Sequence, residues 1–298
     1  MTFIEKYSKI YDIVKLDIDK IDLIGDIKTP KPVKSKLLEM LNAPSKHIRP
    51  LVSFLYLKAL GAEIDKKQIQ YQTAIELVHN ASLIHDDVID ESEKRRGIET
   101  INQKFGNKMA VILGDYLLSV AMKKVLNLGI PQLVNMFCET LEIMSLGEIN
   151  QNLNKFKIST ICEYIKKSEQ KTAKLFETAI DGAVIINNCS GFENNEILRF
   201  AQNDKEVFHK NFAKNFGIAF QIRDDLINCL TSKLDIEEGI YTAPVIYSEG
   251  LEITEFGIEK TQDLLNNYLD LALNSLENLE NSIYKSALVE LVGLLRNE

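Results

Sequence analysis

Apolar residues recur along most of this chain at intervals of three and four, the spacing that lines one face of an α-helix. The clearest run is 68–90, where Ile69, Ala74, Leu77, Val78, Ala81, Ile84 and Val88 form one stripe. Leucines repeat at similar intervals over 255–297. Thr160, followed by Glu163 and another long periodic run, reads as a capping box that opens a helix. No alternating Val/Ile/Thr-rich segments bounded by turn dipeptides signal strands. Proline breaks helix interiors, and only six prolines occur. Pro30, Pro32, Pro44 and Pro50 crowd an early connection, while 51–130 and 132–243 contain none. The pattern predicts one all-α domain over 1–298, with about ten or more helices at a typical length of ~11–12 residues.

Composition then narrows the function classes. The 298 residues are 45% hydrophobic and 26% charged, enough to bury a large core. Lys and Arg total 35 against 43 Asp and Glu, a net charge of −8, which disfavours nucleic acid as a partner. No Gly-rich phosphate loop occurs, so any phosphate must be held by local basic groups or metal ions. The longest uncharged stretch, Val125–Cys138, is interrupted by Asn127, Gly129 and Pro131 and is too short to span a bilayer, which takes about 20 apolar residues. Residues 1–15 are charged throughout and lack the apolar core of a signal peptide, so a cytoplasmic location is expected. Cys138, Cys162, Cys189 and Cys229 lie far apart without CxxC spacing, as expected of reduced thiols rather than a zinc site.

The chemistry is concentrated in two Asp-Asp dipeptides. Leu83-Ile84-His85-Asp86-Asp87-Val88-Ile89-Asp90 and Gln221-Ile222-Arg223-Asp224-Asp225-Leu226-Ile227-Asn228 share a pattern of apolar flanks and a third oxygen-bearing side chain. On a helix, positions i and i+4 share a face, so Asp86 projects with Asp90 and Asp224 with Asn228. Like charges at that spacing cost about 0.2–0.5 kcal/mol when exposed and more when buried. The first cluster is also expected near a helix C-terminus, with Arg95-Arg96-Gly97 as the stop, where the helix dipole opposes carboxylates. A costly feature that occurs twice points to a ligand. Hard divalent cations take oxygen ligands, and Mg²⁺ binds through one or two carboxylates plus substrate phosphates. A solvated acidic face is the plain alternative, and the apolar flanks argue against it. Lys46, Arg49, Arg95, Arg96 and Lys171-Thr172 each read singly as surface charges or ion-pair partners; with two metal-type clusters they suggest a site for two phosphorylated ligands.

These residues resemble a known family. SLIHDDVIDESEKRRG is similar to the first aspartate-rich motif of the all-trans polyprenyl diphosphate synthases, and AFQIRDDLIN to the second. Ser45–Pro50 resembles the family's Gly-Lys-x-x-Arg-Pro segment, with Ser45 at the glycine. His79, Gly147-Glu148-x-x-Gln151 and Tyr164 with Lys171-Thr172 also match, in family order across nearly the whole chain. The resemblance implies an all-α isoprenoid synthase fold with helices around a central apolar cavity, as a homodimer. It implies consecutive head-to-tail condensation of isopentenyl diphosphate onto an allylic diphosphate, geranyl or farnesyl, with peripheral membrane contact for product release. Asp86, Asp87, Asp90, Asp224, Asp225 and the Asn228 position would hold Mg²⁺ on the allylic diphosphate, assisted by Arg95, Lys171, Thr172 and Gln221. Lys46, Arg49, His79 and Arg96 would bind isopentenyl diphosphate.

Product length and departures complete the reading. The hydrocarbon tail should run back along the helix from Asp86, past Ala81 and Ser82 about one turn or ~5–6 Å deeper. Both are small and offer no plug, and the resemblance ties this to long products, roughly octaprenyl. Phe137 could form a deeper floor, with core packing as its plainer role. Asn228 replaces the family's third aspartate, and Ile240 stands where a lysine is expected. The alternatives are a short-chain geranyl or farnesyl synthase, a non-catalytic subunit of a heteromeric synthase, and an HD-type metal phosphohydrolase using His79, His85 and Asp86.

Overall fold

The computed structural model describes residues 3–43, 45–191, 202–232 and 234–296. Helices dominate them, as the spacing predicts. The chain opens with α1 (Phe3–Asp12), the short α2 (Lys15–Ile18) and α3 (Lys31–Leu41), then α4 (Ile48–Ala59) and the long α5 (Lys66–Ile89). A two-stranded hairpin, β1 (Lys94–Arg95) and β2 (Ile98–Glu99), precedes α6 (Ile101–Phe105), α7 (Asn107–Leu126) and α8 (Pro131–Leu153). Next, α9 (Ile161–Ser168) passes through a π-turn at Glu169–Ala173 into α10 (Lys174–Gly191). The chain continues with α11 (Gln202–Thr231), α12 (Leu234–Glu237), α13 (Ala243–Tyr247), α14 (Glu255–Asn274) and α15 (Ile283–Arg296).

Local chemistry sets several boundaries. Asp65 caps α5 by accepting from the Gln68 amide at 2.9 Å, and Thr160 with Glu163 forms both bonds of the capping box that opens α9. The expected helix stop at Arg95-Arg96-Gly97 is not one. Helix α5 ends at Ile89, and Arg96 (φ 53°) with Gly97 (φ 78°) forms the hairpin turn. Two successive positive φ values give the mirror-image turn whose twist matches paired strands. The earlier stop places Asp86, Asp87 and Asp90 within the last turn or at the C-cap, so the opposing dipole acts on all three.

Helix α5 is more central than a one-sided stripe implies. Every residue from Tyr71 to Val78 is buried, and the two buried glutamines of the helix are bonded into α10. Gln72 Nε2 donates to the Ala179 carbonyl at 2.8 Å and Ser53 Oγ at 2.7 Å; Gln68 Nε2 donates to the Ala183 carbonyl at 2.8 Å. Buried amides left unbonded would cost about 1–3 kcal/mol each, so these bonds fix the rotation of α5. Two apolar clusters flank it. One joins α4, α11, α14 and α15, the other α3, α5, α7 and α8, and α10 contributes to both. A cavity of about 860 Å³ lies between α4, α5, α7, α8, the π-turn and α11.

The π-turn is clasped by glycines of two helices. A Cβ on Gly217 of α11 would lie 2.5 Å from the Ala173 Cα, and one on Gly147 of α8 would lie 3.1 Å from the Gln170 Cβ. Gly217→Ala must force α11 away from backbone rather than from a movable side chain tip. We expect it to lower unfolding stability by about 1–3 kcal/mol, read from the denaturant midpoint; a wild-type midpoint would mean the helices part without cost.

Candidate active site

The end of α5 delivers the first carboxylates. Asp86 lines the cavity, and burial lifts its pKa to about 6, with Glu148 and Asp90 adding to the rise and Lys171 opposing it. Asp90 is raised in the same way. Asp87, one step round the helix, faces the hairpin instead, where its Oδ1 accepts from Arg95 Nε at 2.6 Å. Asn102 Nδ2 donates to the Asp87 carbonyl at 3.1 Å. The i, i+4 geometry therefore separates Asp87 from the other two.

The π-turn supplies the opposing cation. Lys171 Nζ sits 2.5 Å from Glu148 Oε2 of α8. Burial lowers its pKa, but Asp86, Glu148 and Asp90 together hold it above the usual value. Thr172 Oγ1 donates to Gln221 Oε1 at 2.5 Å, and Gln221 Nε2 donates to Asp225 Oδ1 at 2.8 Å. Tyr164 Oη donates to the other Asp225 oxygen at 2.7 Å. Asp225 is buried behind the cavity wall and lifted to about 6 by burial, with Lys167, Tyr164 and Gln221 opposing. Asp224 faces the cavity and is raised by burial against the pull of Arg223, Lys46 and Arg49. Asn228 is exposed and hydrogen-bonds Asp235, a carboxylate of α12 whose own pKa is raised by burial.

Beside these acids lies a basic pocket. Lys46, Arg49, His79 and Arg96 all line the cavity. Arg49 is buried over the Phe176 ring, 4.8 Å from its centroid, and its Nε has no hydrogen-bond partner among the described residues. Burial pushes the Arg49 pKa down to about 10, still charged at neutral pH. Burial first, and Arg49, Arg96 and Arg95 next, depress His79 well below its usual range, so its imidazole is neutral. A neutral histidine offers one N–H donor. Arginines on several sides also repel a cation from His79, which removes the basis for an HD-type metal site. His85 instead lies 3.4 Å from Asp115.

The structure brings together Asp86, Lys171, Thr172, Gln221, Asp224 and Ser82 with those basic residues around one cavity. Arg95 and Asp87 lie on its hairpin side, outside the lining. Neither Ala81 nor Phe137 lines the cavity, and Phe137 takes the plainer of its two expected roles, core packing. Ala81 is wholly buried in the core, because it lies about 100° round the helix from Ser82, and Phe137 packs edge-on against Tyr71 at 5.5 Å. The apolar walls include Leu83, Val88, Leu118, Leu141, Met144 and Phe220. Periodicity could not have found Leu118, Leu141 or Met144, since nothing distinguishes them locally from core residues.

The donor set is oxygen-only at the acidic wall, which suits Mg²⁺. Among the described residues no three His, Cys, Asp or Glu side chains converge as a metal cage; Mg²⁺ seldom uses one, completing its shell with water and phosphate oxygens.

The family described as polyprenyl synthetase matches residues 31–269 by its sequence profile. A prenyl transferase of Cyanidium caldarium is 30% identical over 97% of this chain and 98% of its own length. Solanesyl diphosphate synthase 2, chloroplastic, of Arabidopsis thaliana is 29% identical over 95% of this chain and 75% of its own. The crystal structure of a decaprenyl diphosphate synthase from Rhodobacter capsulatus superposes with a TM-score of 0.87, covering 97% of this chain and 98% of that one at 21% identity. With its two aspartate motifs and basic pocket meeting at one cavity, the chain belongs to the polyprenyl synthetase family.

Proposed function

We propose that the protein is a Mg²⁺-dependent trans-prenyltransferase that adds isopentenyl diphosphate head-to-tail onto farnesyl or geranyl diphosphate, making a long-chain all-trans polyprenyl diphosphate. The observation that carries this is the cavity's division into three parts: an acidic wall, a basic pocket beside it, and an apolar tail space running back along α5. Asp86, Asp90 and Asp224 are the residues to hold Mg²⁺ on the allylic diphosphate, with Asp87 and Asp225 braced behind them by Arg95, Tyr164 and Gln221. Bound Mg²⁺ supplies Lewis-acid neutralisation of the leaving diphosphate.

The chain's own groups do the rest. Lys171, held between Asp86 and Glu148, adds a fixed positive charge where negative charge grows as the allylic bond opens. Arg49 and Arg96, with the neutral His79 donor, seat the second diphosphate so that its double bond faces the allylic carbon. Phe220 lines the cavity, backed by the buried Phe176 ring at a centroid distance of 5.7 Å, and offers an aromatic face that excludes water and meets developing positive charge with π density.

Ser82, which lines the cavity about one turn behind Asp86 and is too small to plug it, favours a long product over the short-chain alternative, as do the names of the relatives. The complete first motif favours a catalytic chain over a silent subunit.

Purified protein incubated with farnesyl diphosphate, labelled isopentenyl diphosphate and Mg²⁺ should give a ladder ending at a long chain. Asp86→Asn should lower kcat by about 10²-fold or more; no incorporation by the wild-type protein alone would overturn the reading. Ser82→Phe should shorten the ladder, whereas Ala81→Phe should fail through lost folding, since Ala81 has no free space beside it. An unchanged ladder from folded Ser82→Phe would move the length determinant elsewhere. The raised carboxylates give a pH signature. Folded Asp86 and Asp225 hold protons up to about pH 6, above the unfolded value near 3.9. Metal-free stability should therefore fall as pH rises from about 4 through 6, and Mg²⁺ affinity should rise over that upper range. In Asp86→Asn both trends should weaken; equal slopes in the two proteins would refute the account of Asp86.

A further inference from the structure

His47, between Lys46 and the start of α4, is neither an aspartate-motif residue nor a core residue. Its backbone sits in the left-handed region (φ 43°, ψ 43°), which non-glycine residues adopt at a cost and which His tolerates better than most. Such a conformation persists where surrounding contacts impose it. Three contacts do so here. His47 Nδ1 lies 2.9 Å from Oε2 of Glu76, a side chain only 3% exposed on α5, one turn before His79. The His47 amide donates to Ser45 Oγ at 3.2 Å. Tyr7 Oη, from α1, donates to the Lys46 carbonyl. The loop is thus pinned from both sides, immediately ahead of two cationic side chains that line the cavity.

Those two cations are held differently. Arg49 lies within α4, buried against Phe176, so its position follows from packing. Lys46 is exposed and precedes the helix, so its reach into the cavity depends on the loop backbone. Resting on the synthase reading above, we propose that the His47–Glu76 pair is a latch that positions Lys46 for the isopentenyl diphosphate, making His47 a positioning residue of that subsite.

Variants at 47 separate backbone strain, the Glu76 bond and the imidazole itself. His47→Ala loses the bond and keeps the strain; His47→Gly adopts the same φ freely but loses the bond. His47→Asn tolerates the left-handed region and can offer its amide to Glu76. In His47→Ala and His47→Gly, KM for isopentenyl diphosphate should rise about tenfold, the scale of one lost hydrogen bond. KM for farnesyl diphosphate, kcat and the unfolding temperature should stay near wild type, and His47→Asn should recover most of the loss. Unchanged KM in the Ala and Gly proteins would overturn the latch. So would kcat and both KM values moving together with the unfolding temperature, or Asn failing as badly as Ala, which would make the imidazole a direct contact. If the wild-type protein shows no incorporation, the synthase reading fails, and the latch is then decided by the same variant order in Kd for inorganic pyrophosphate, measured by calorimetry.

Discussion

The molecule is organised around carboxylates held in a partly desolvated wall. Asp86, Asp90, Asp224 and Asp225 are all raised by burial, and the first pair also suffers the negative end of the α5 dipole. Such groups persist only beside fixed cations or a ligand that repays their desolvation. The fold supplies part of the compensation through Lys171, Arg95, Lys167 and Arg223, placed on four different segments. The remainder is not met by the chain's own cations, and that residual deficit is what distinguishes the wall from a closed ion-pair network.

Keeping that wall open requires rigid surroundings. The buried glutamines of α5 bind α10 carbonyls, so α5 cannot rotate to bring Asp86 to solvent. The π-turn shifts the register between α9 and α10, and the glycines of α8 and α11 let two helices approach it closely. Lys171 and Thr172 are consequently presented to the cavity from the same short turn, one toward Asp86 and the other toward Gln221. A regular helix would advance the residues after the turn by a different angle, and π-turns recur at functional sites for this reason.

One departure in the second motif, Asn228, gains a physical context. Asn228 does not face the cavity but bonds Asp235, which the short connection to α12 brings close. An amide can donate to that carboxylate where an aspartate would repel it. Acidic character at this end of the site is thereby retained on a different segment, outside the reach of any reading that compares positions one by one.

Much was legible in the chain itself. Helical spacing, the scarcity of proline and the capping box at Thr160 determined the all-α class, because these are local properties of backbone and side chain. The repeated Asp-Asp pairs marked the chemistry, since like charges beside apolar residues carry a cost wherever they fold. Local pattern could not assign sides. It grouped Asp87 with Asp86 and Ala81 with Ser82, although about 100° of helix rotation separates neighbours and sends each to a different environment. It also read the Arg96-Gly97 turn as a helix stop, because glycine at positive φ serves both. Tertiary structure alone decided which carboxylates face the cavity, which leucines wall it, and that Glu76 would meet His47 across 29 residues. Those outcomes depend on how helices pack, and packing is set by contacts between segments far apart in the chain.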